Sequence, residues 1–279
     1  MFGMILAAIA GLSNGSFGLP MKFTTKWKWE NTWSMWSVWT LLVVPWIIAF
    51  LTIPNLLGVY SEASWGALLW VFLFGFIWGF SAIAFGTGLD YLGLGLGYSL
   101  MMGLIISVGA LLPLVTEHPE NILKLNGLAI IAGVVIIIVG VILNTWSAVM
   151  KEKDLVDSTT EDKHVEKKSL LKGLIICVVA GVTAPALNYV FIYGEQLRAT
   201  AERLSVGETL ASISIWPIAL LGGFLVNITY CTWLVNKNKV WGRYCENGTG
   251  LYYLYTLIMG IFWAGSTAIY GMVVEKRKD

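Results

Sequence analysis

The chain has 279 residues, 57% of them hydrophobic and only 13% charged, about half the charged share of an ordinary globular domain. A formal net charge of +1 excludes the strong positive field that nucleic acid binding requires. The apolar residues fall into runs near the roughly 20 residues with which a helix crosses about 30 Å of hydrocarbon, which excludes an ordinary soluble fold. The composition predicts an all-α polytopic membrane protein whose immediate partner is the lipid bilayer.

Hydropathy along the chain predicts about eight transmembrane helices, near 2–21, 32–53, 65–89, 91–116, 125–149, 170–194, 208–235 and 250–274. The first run has no basic flank ahead of it and reads as a span rather than a cleaved signal. The long polar stretch from Lys151 to Lys168 mixes both signs without apolar periodicity, and reads as a solvated linker. It divides the chain into a five-span part, 1–150, a linker, 151–168, and a three-span part, 169–279. Lys22, Lys26 and Lys28, the lysines of 151–172, and Lys237, Lys239 and Arg243 all fall on one side, predicting an outside N-terminus and a cytoplasmic linker. The basic tail, Lys276, Arg277 and Lys278, runs against that assignment. Cys177, Cys231 and Cys245 lack metal-ligand spacing, so neither a disulfide nor a metal or other cofactor is expected. The glycosylation-type triplets at Asn227 and Asn247 carry no weight, because so short a pattern recurs by chance.

The third and eighth runs share a register. Gly75, Trp78, Ser81 and Gly86 in one align with Gly260, Trp263, Ser266 and Gly271 in the other. The first run, with Gly3, Ala10, Gly11 and Ser13, aligns likewise with the sixth, with Gly173, Ala180, Gly181 and Thr183. Partners lie five spans apart, so the second copy crosses with opposite polarity, the inverted-repeat plan of secondary transporters. Chance similarity between Gly-rich helices competes for either pair alone, and two pairs in the same order count against it. Partners for the fourth and fifth spans are not found in the chain, so a complete plan would have ten spans.

Polar residues inside apolar runs are costly unless they find a partner or face a wet cavity. Those singled out are nearly all neutral: Asn14, Ser81, Asn188, Ser266 and Tyr270, with Trp78 and Trp263 at equivalent positions. Trp78 and Ser81 share one helix face, as do Trp263, Ser266 and Tyr270. Hydroxyls and amides beside aromatic rings suit an uncharged, polyhydroxylated ligand such as a monosaccharide. Interfacial aromatic belts are the competing account, and the better one for Trp27, Trp29, Trp33 and Trp36. Gly11 with Gly15 and Gly75 with Gly79 read as close helix contacts. Charged groups near the spans, including Lys22, Glu30 and Glu208, read first as solvated span ends. Asp90 and Glu195 are the candidates for a proton-coupling carboxylate. No nucleophile and base pair or phosphate loop stands out, so an enzyme is not expected.

The segments Pro20-Met-Lys22, Lys26-Trp-Lys28-Trp29-Glu30-Asn-Thr-Trp33-Ser34 and Pro45-Trp46 through Pro54-Asn55 resemble the L-rhamnose/proton symporter family of the drug/metabolite transporter superfamily. The likeness continues at Trp78-Gly79, Tyr91-Leu-Gly93 and the ladder Gly93, Gly95, Gly97, and is looser in the later spans. It implies ten helices in two inverted five-helix repeats, and uptake of a deoxyhexose driven by protons. Against it, the eight spans read here make an incomplete 5+5 arrangement lacking the last two helices. The reading is a multi-pass protein of the cytoplasmic membrane, importing a monosaccharide, L-rhamnose, with protons. A non-transporting sensor or an inactive remnant is the alternative. Export of apolar cations would want a carboxylate deep in the bundle, and none is evident in the sequence.

Overall fold

In hydrocarbon each backbone N–H and C=O must be paired within its own segment, and apolar runs of this length meet that condition as helices. The computed structural model describes residues 2–116, 119–158, 170–204 and 207–275, all helix and connecting turns, with no strand among the described residues. In chain order the helices are α1 (Phe2–Ser16), α2 (Trp29–Ser37), α3 (Val44–Thr52), α4 (Leu56–Glu62), α5 (Trp65–Thr116) and α6 (Leu125–Ser158). They continue as α7 (Leu170–Thr183), α8 (Ala186–Tyr193), α9 (Glu195–Arg203), α10 (Glu208–Ala211), α11 (Trp216–Asn238) and α12 (Gly250–Glu275).

Six stretches among the described residues are long and apolar enough to cross a membrane: Trp29–Thr52, Trp65–Gly93, Gly95–Thr116, Leu125–Ser147, Leu170–Arg203 and Ser212–Asn238. They match the second to seventh expected runs, and α1 and α12 occupy the first and eighth. Eight residues of the expected linker, 151–158, continue α6 as helix, and 159–168 lie outside the described residues. Several of these helices are broken, each break having a local cause. Gly93, at φ 76° and ψ 171°, divides α5 in a backbone region open essentially to glycine alone. Pro45 cannot donate to the helix and crowds the carbonyl one turn back, and a π-helical turn, Val38–Val43, widens the helix just before it. Pro185 separates α7 from α8, and Pro217 follows a 3-10 turn at Ser212–Ile215.

The chain forms two compact units, Met1–Gly79 with Tyr189–Asp279, and Phe80–Asn188. In the first, α1 lies along α12, and α2 packs on both α11 and α12. The start of α5 crosses α11 backbone to backbone: a Cβ placed on Gly79 would stand 2.9 Å from the Cα of Gly223. This is the close helix contact expected of the Gly75 and Gly79 pair. In the second unit, Ser81 Oγ donates to the Ala180 carbonyl at 2.7 Å, joining α5 to α7. Asn144 Nδ2 donates to Ser99 Oγ at 2.6 Å, joining α6 to α5.

Gly93→Ala places a Cβ in a conformation that costs about 1–3 kcal/mol. Its melting temperature in detergent is expected to fall, while Gly95→Ala, which meets no atom within 4 Å, leaves it unchanged.

Candidate functional site

The first unit holds a continuous tryptophan cluster. Trp33 and Trp36, at i and i+3 on α2, share one face, and their ring centroids are 4.5 Å apart. Trp29 stacks on Trp33 at 5.4 Å, and Trp36 meets the edge of Trp263 from α12 at 6.2 Å. Trp263 in turn lies 5.4 Å from Trp78 of α5. Three helices thus contribute rings to one apolar wall.

Asn227 of α11 holds this wall in register. Its Oδ1 accepts the Trp33 indole N–H at 2.9 Å, while its Nδ2 donates to the carbonyls of Gly223 at 2.8 Å and Gly79 at 3.3 Å. The side chain has no solvent exposure, and its amide ties α2, α5 and α11 together. From α2 through α3 several buried groups have no hydrogen-bond partner: the indole N–H groups of Trp29, Trp36, Trp39 and Trp46, and Thr40 Oγ1. Thr40 stands in the π-helical turn that continues α2, and α12 approaches it at Gly260. The unpaired Trp36 indole among aromatic rings and the unpaired Thr40 hydroxyl one turn further along the helix are equipped to exchange hydrogen bonds with a ligand's hydroxyls while a ring covers its C–H face.

A second polar layer closes the end of this unit that carries the 22–28 link. Trp27 Nε1 donates to the Arg243 carbonyl at 2.8 Å, and its ring is edge-on to Tyr244, Tyr252 and Tyr253. Ser34 and Tyr244 share a hydroxyl contact at 2.6 Å, and Asn31 Nδ2 donates to the Val240 carbonyl at 3.2 Å. Burial pushes the Tyr244 phenol up, against the lowering pull of its bonds to Ser34 and Asn31.

The expected site residues separate into those brought together and those spent elsewhere. Trp78 and Trp263 meet, as their matching positions suggested. Ser266 Oγ donates to the Trp263 carbonyl at 2.7 Å, one turn back on α12, and Ser81 is committed to Ala180. Asn14 is half-buried on α1 and Asn188 is exposed on α8, while the Tyr270 side chain lies outside the described residues. Asp90 is exposed, and Glu195 is exposed in an ion pair with Arg198, which also pairs with Glu202.

Two expectations are corrected. Trp27, Trp33 and Trp36 are 5%, 1% and 2% exposed, so they pack inside the unit and do not form an interfacial belt. Glu30 is 5% exposed, so it is not a solvated span end. Asn227 was passed over as part of a glycosylation triplet. The cost of an amide inside an apolar run, the signal applied to Asn188, applies to it equally.

Asn227→Ala strands the Trp33 donor and removes a second bond from two helix carbonyls, and is expected to cost about 1–3 kcal/mol. Trp33→Phe alone should cost less, and combining the two should cost less than their sum in thermal unfolding of the detergent-solubilised protein, because they share one bond.

The profile of the family described as L-rhamnose-proton symport protein matches residues 1–243. Curated relatives named L-rhamnose-proton symporter, from Yersinia pestis bv. Antiqua (strain Antiqua) and Yersinia pseudotuberculosis serotype O:1b (strain IP 31758), are each 26% identical over 233 residues. The match takes in 83% of this chain and 66% of each relative, so the chain spans just under two thirds of their length. Both are named as symporters and not as enzymes. No solved structure matches the chain. With its helices long and apolar enough to cross a membrane and a family match over most of its length, the chain belongs to the L-rhamnose-proton symport protein family.

Proposed function

We propose that the protein imports a monosaccharide, L-rhamnose, together with protons across the cytoplasmic membrane. The sugar binds against the wall of Trp36, Trp78 and Trp263, with Trp36 Nε1 and Thr40 Oγ1 as hydrogen-bonding groups. The observation that carries this reading is the buried, unpartnered Trp36 indole N–H set among aromatic rings, with the unpartnered Thr40 hydroxyl one turn along the same helix. A deoxyhexose offers both halves of the match: several hydroxyls, and an apolar face enlarged by its methyl group. Family membership supports the same substrate, and the relatives' names supply the coupling ion.

In this reading α1 and α12 serve as first and eighth spans, and the two parts, 1–150 and 169–279, are related as inverted repeats joined by the 151–168 linker. Alternating access follows when one repeat rocks against the other around a site near the midplane. The breaks at Gly93 and Pro185 and the π-helical turn before Pro45 are places where helices yield without losing their apolar length.

In cells lacking their own carrier, expression of this chain is expected to drive accumulation of labelled L-rhamnose that collapses when the proton gradient is dissipated. Protein in the membrane with no gradient-dependent uptake would refute symport. Thr40→Val and Trp263→Ala are each expected to raise KM about tenfold, equivalent to about 1.4 kcal/mol of lost binding, at unchanged protein level.

A further inference from the structure

Glu30 sits in the first turn of α2, at the start of an apolar helix, and is the one buried carboxylate among the described residues. Its Oε1 accepts a hydrogen bond from Asn238 Nδ2 at 2.7 Å, at the last residue of α11. Solvated span ends do not look like this, because a carboxylate taken from water normally acquires a cation. Here the nearby cations are engaged elsewhere or exposed. Lys26 donates to the Asn247 carbonyl and pairs with Glu246. Arg243 donates to the Lys26 carbonyl, and Lys237 lies 4.9 Å over the Trp233 ring. Lys28 and Lys239 are exposed. The other titratable groups among the described side chains of the packed elements are Tyr230 and Cys231 of α11, Tyr244 and Cys245 of the 241–245 turn, and Tyr252, Tyr253 and Tyr255 of α12.

We propose that Glu30 is the proton-carrying carboxylate, held by the neutral amide of Asn238 instead of by a counter-ion, and that it couples protonation to the sugar site through α2 and α11. The assignment rests on the reading of the protein as a proton symporter. An amide partner suits a group that must change charge, since it donates to the carboxylate and still finds an oxygen when the proton is on. The step is a single reversible one: a proton from one side bonds to a carboxylate oxygen, and the same O–H bond breaks when the proton leaves to the other. The bond from Asn238 is charge-assisted only while Glu30 is ionised, so protonation weakens it. Asn238 and Asn227 lie about three turns apart on α11, and Glu30 and Trp33 lie one turn apart on α2. The helices are therefore clasped twice, once by the bond from Asn238 to Glu30 and once by the bond that sets the tryptophan wall. Loosening the first clasp bears on the second.

The test uses the full chain in proteoliposomes, with L-rhamnose as the probe. Glu30→Gln is expected to lose accumulation driven by an imposed pH gradient while retaining counterflow of labelled against unlabelled sugar. Glu30→Asp should keep part of the accumulation with a shifted pH profile, and Glu246→Gln should accumulate as the wild type does. Accumulation by Glu30→Gln at the wild-type level, or loss of counterflow together with accumulation, overturns the assignment. Infrared difference spectra of the wild type against Glu30→Gln decide it without any transport. A carboxyl band that titrates only in the wild type supports Glu30, and identical spectra overturn it. A wild type that fails to accumulate L-rhamnose refutes the proposed function, and the infrared result still decides Glu30.

Discussion

The first unit depends on one hydrogen bond donor and acceptor pair in an apolar interior, the Trp33 indole and the Asn227 amide. An amide there is costly unless every polar atom is used, and Asn227 uses its oxygen on α2 and its nitrogen on two carbonyls, one from α5 and one from its own helix. That requirement fixes the register of three helices at once. Because Trp33 is positioned, Trp36 is positioned beside it, and through Trp36 the rings of Trp263 and Trp78. A wall of large rings in lipid would otherwise have little to choose between one rotation of α2 and the next, since lipid tails are as apolar as the core.

The helix breaks follow from the same constraint seen along the chain. A backbone group freed inside the hydrocarbon must be satisfied locally, so breaks appear as π or 3-10 turns or at a glycine, not as open loops. The π-helical turn at Val38–Val43 places Thr40 on a widened stretch of helix directly after Trp36, where a hydroxyl is left without a partner. Pro45 makes the break necessary. Along the same helix, Glu30, Trp33, Trp36 and Thr40 descend from a polar cap through an aromatic wall to an unpaired hydroxyl.

Membership in a family of proton-coupled sugar carriers is consistent with how few charges the interior carries. A neutral sugar needs donors, acceptors and an apolar face, all of which aromatic, amide and hydroxyl groups supply without the desolvation cost of ions. The buried carboxylate of Glu30 stands out because the other buried polar groups among the described residues of this unit are neutral. The exposed ion pair of Arg203 with Glu62 joins α9 to α4.

Composition and run length alone determined the class of the protein and the placement of its spans, because the thickness of hydrocarbon leaves a helix few alternatives. That Trp78 and Trp263 could meet was legible too, since glycine, tryptophan and serine recur at one spacing around both. The roles of Trp33, Trp36, Asn227 and Glu30 were not, and each was first read as a belt residue, a chance triplet or a solvated end. Hydropathy measures whether a residue type prefers water, and it is blind to which neighbour supplies the missing bond. Trp33 and Asn227 are 194 residues apart, and Glu30 and Asn238 are 208 apart. Only the packing of α2 against α11, a tertiary matter, could give the costly Asn227 amide its indole partner and the Glu30 carboxylate its amide partner.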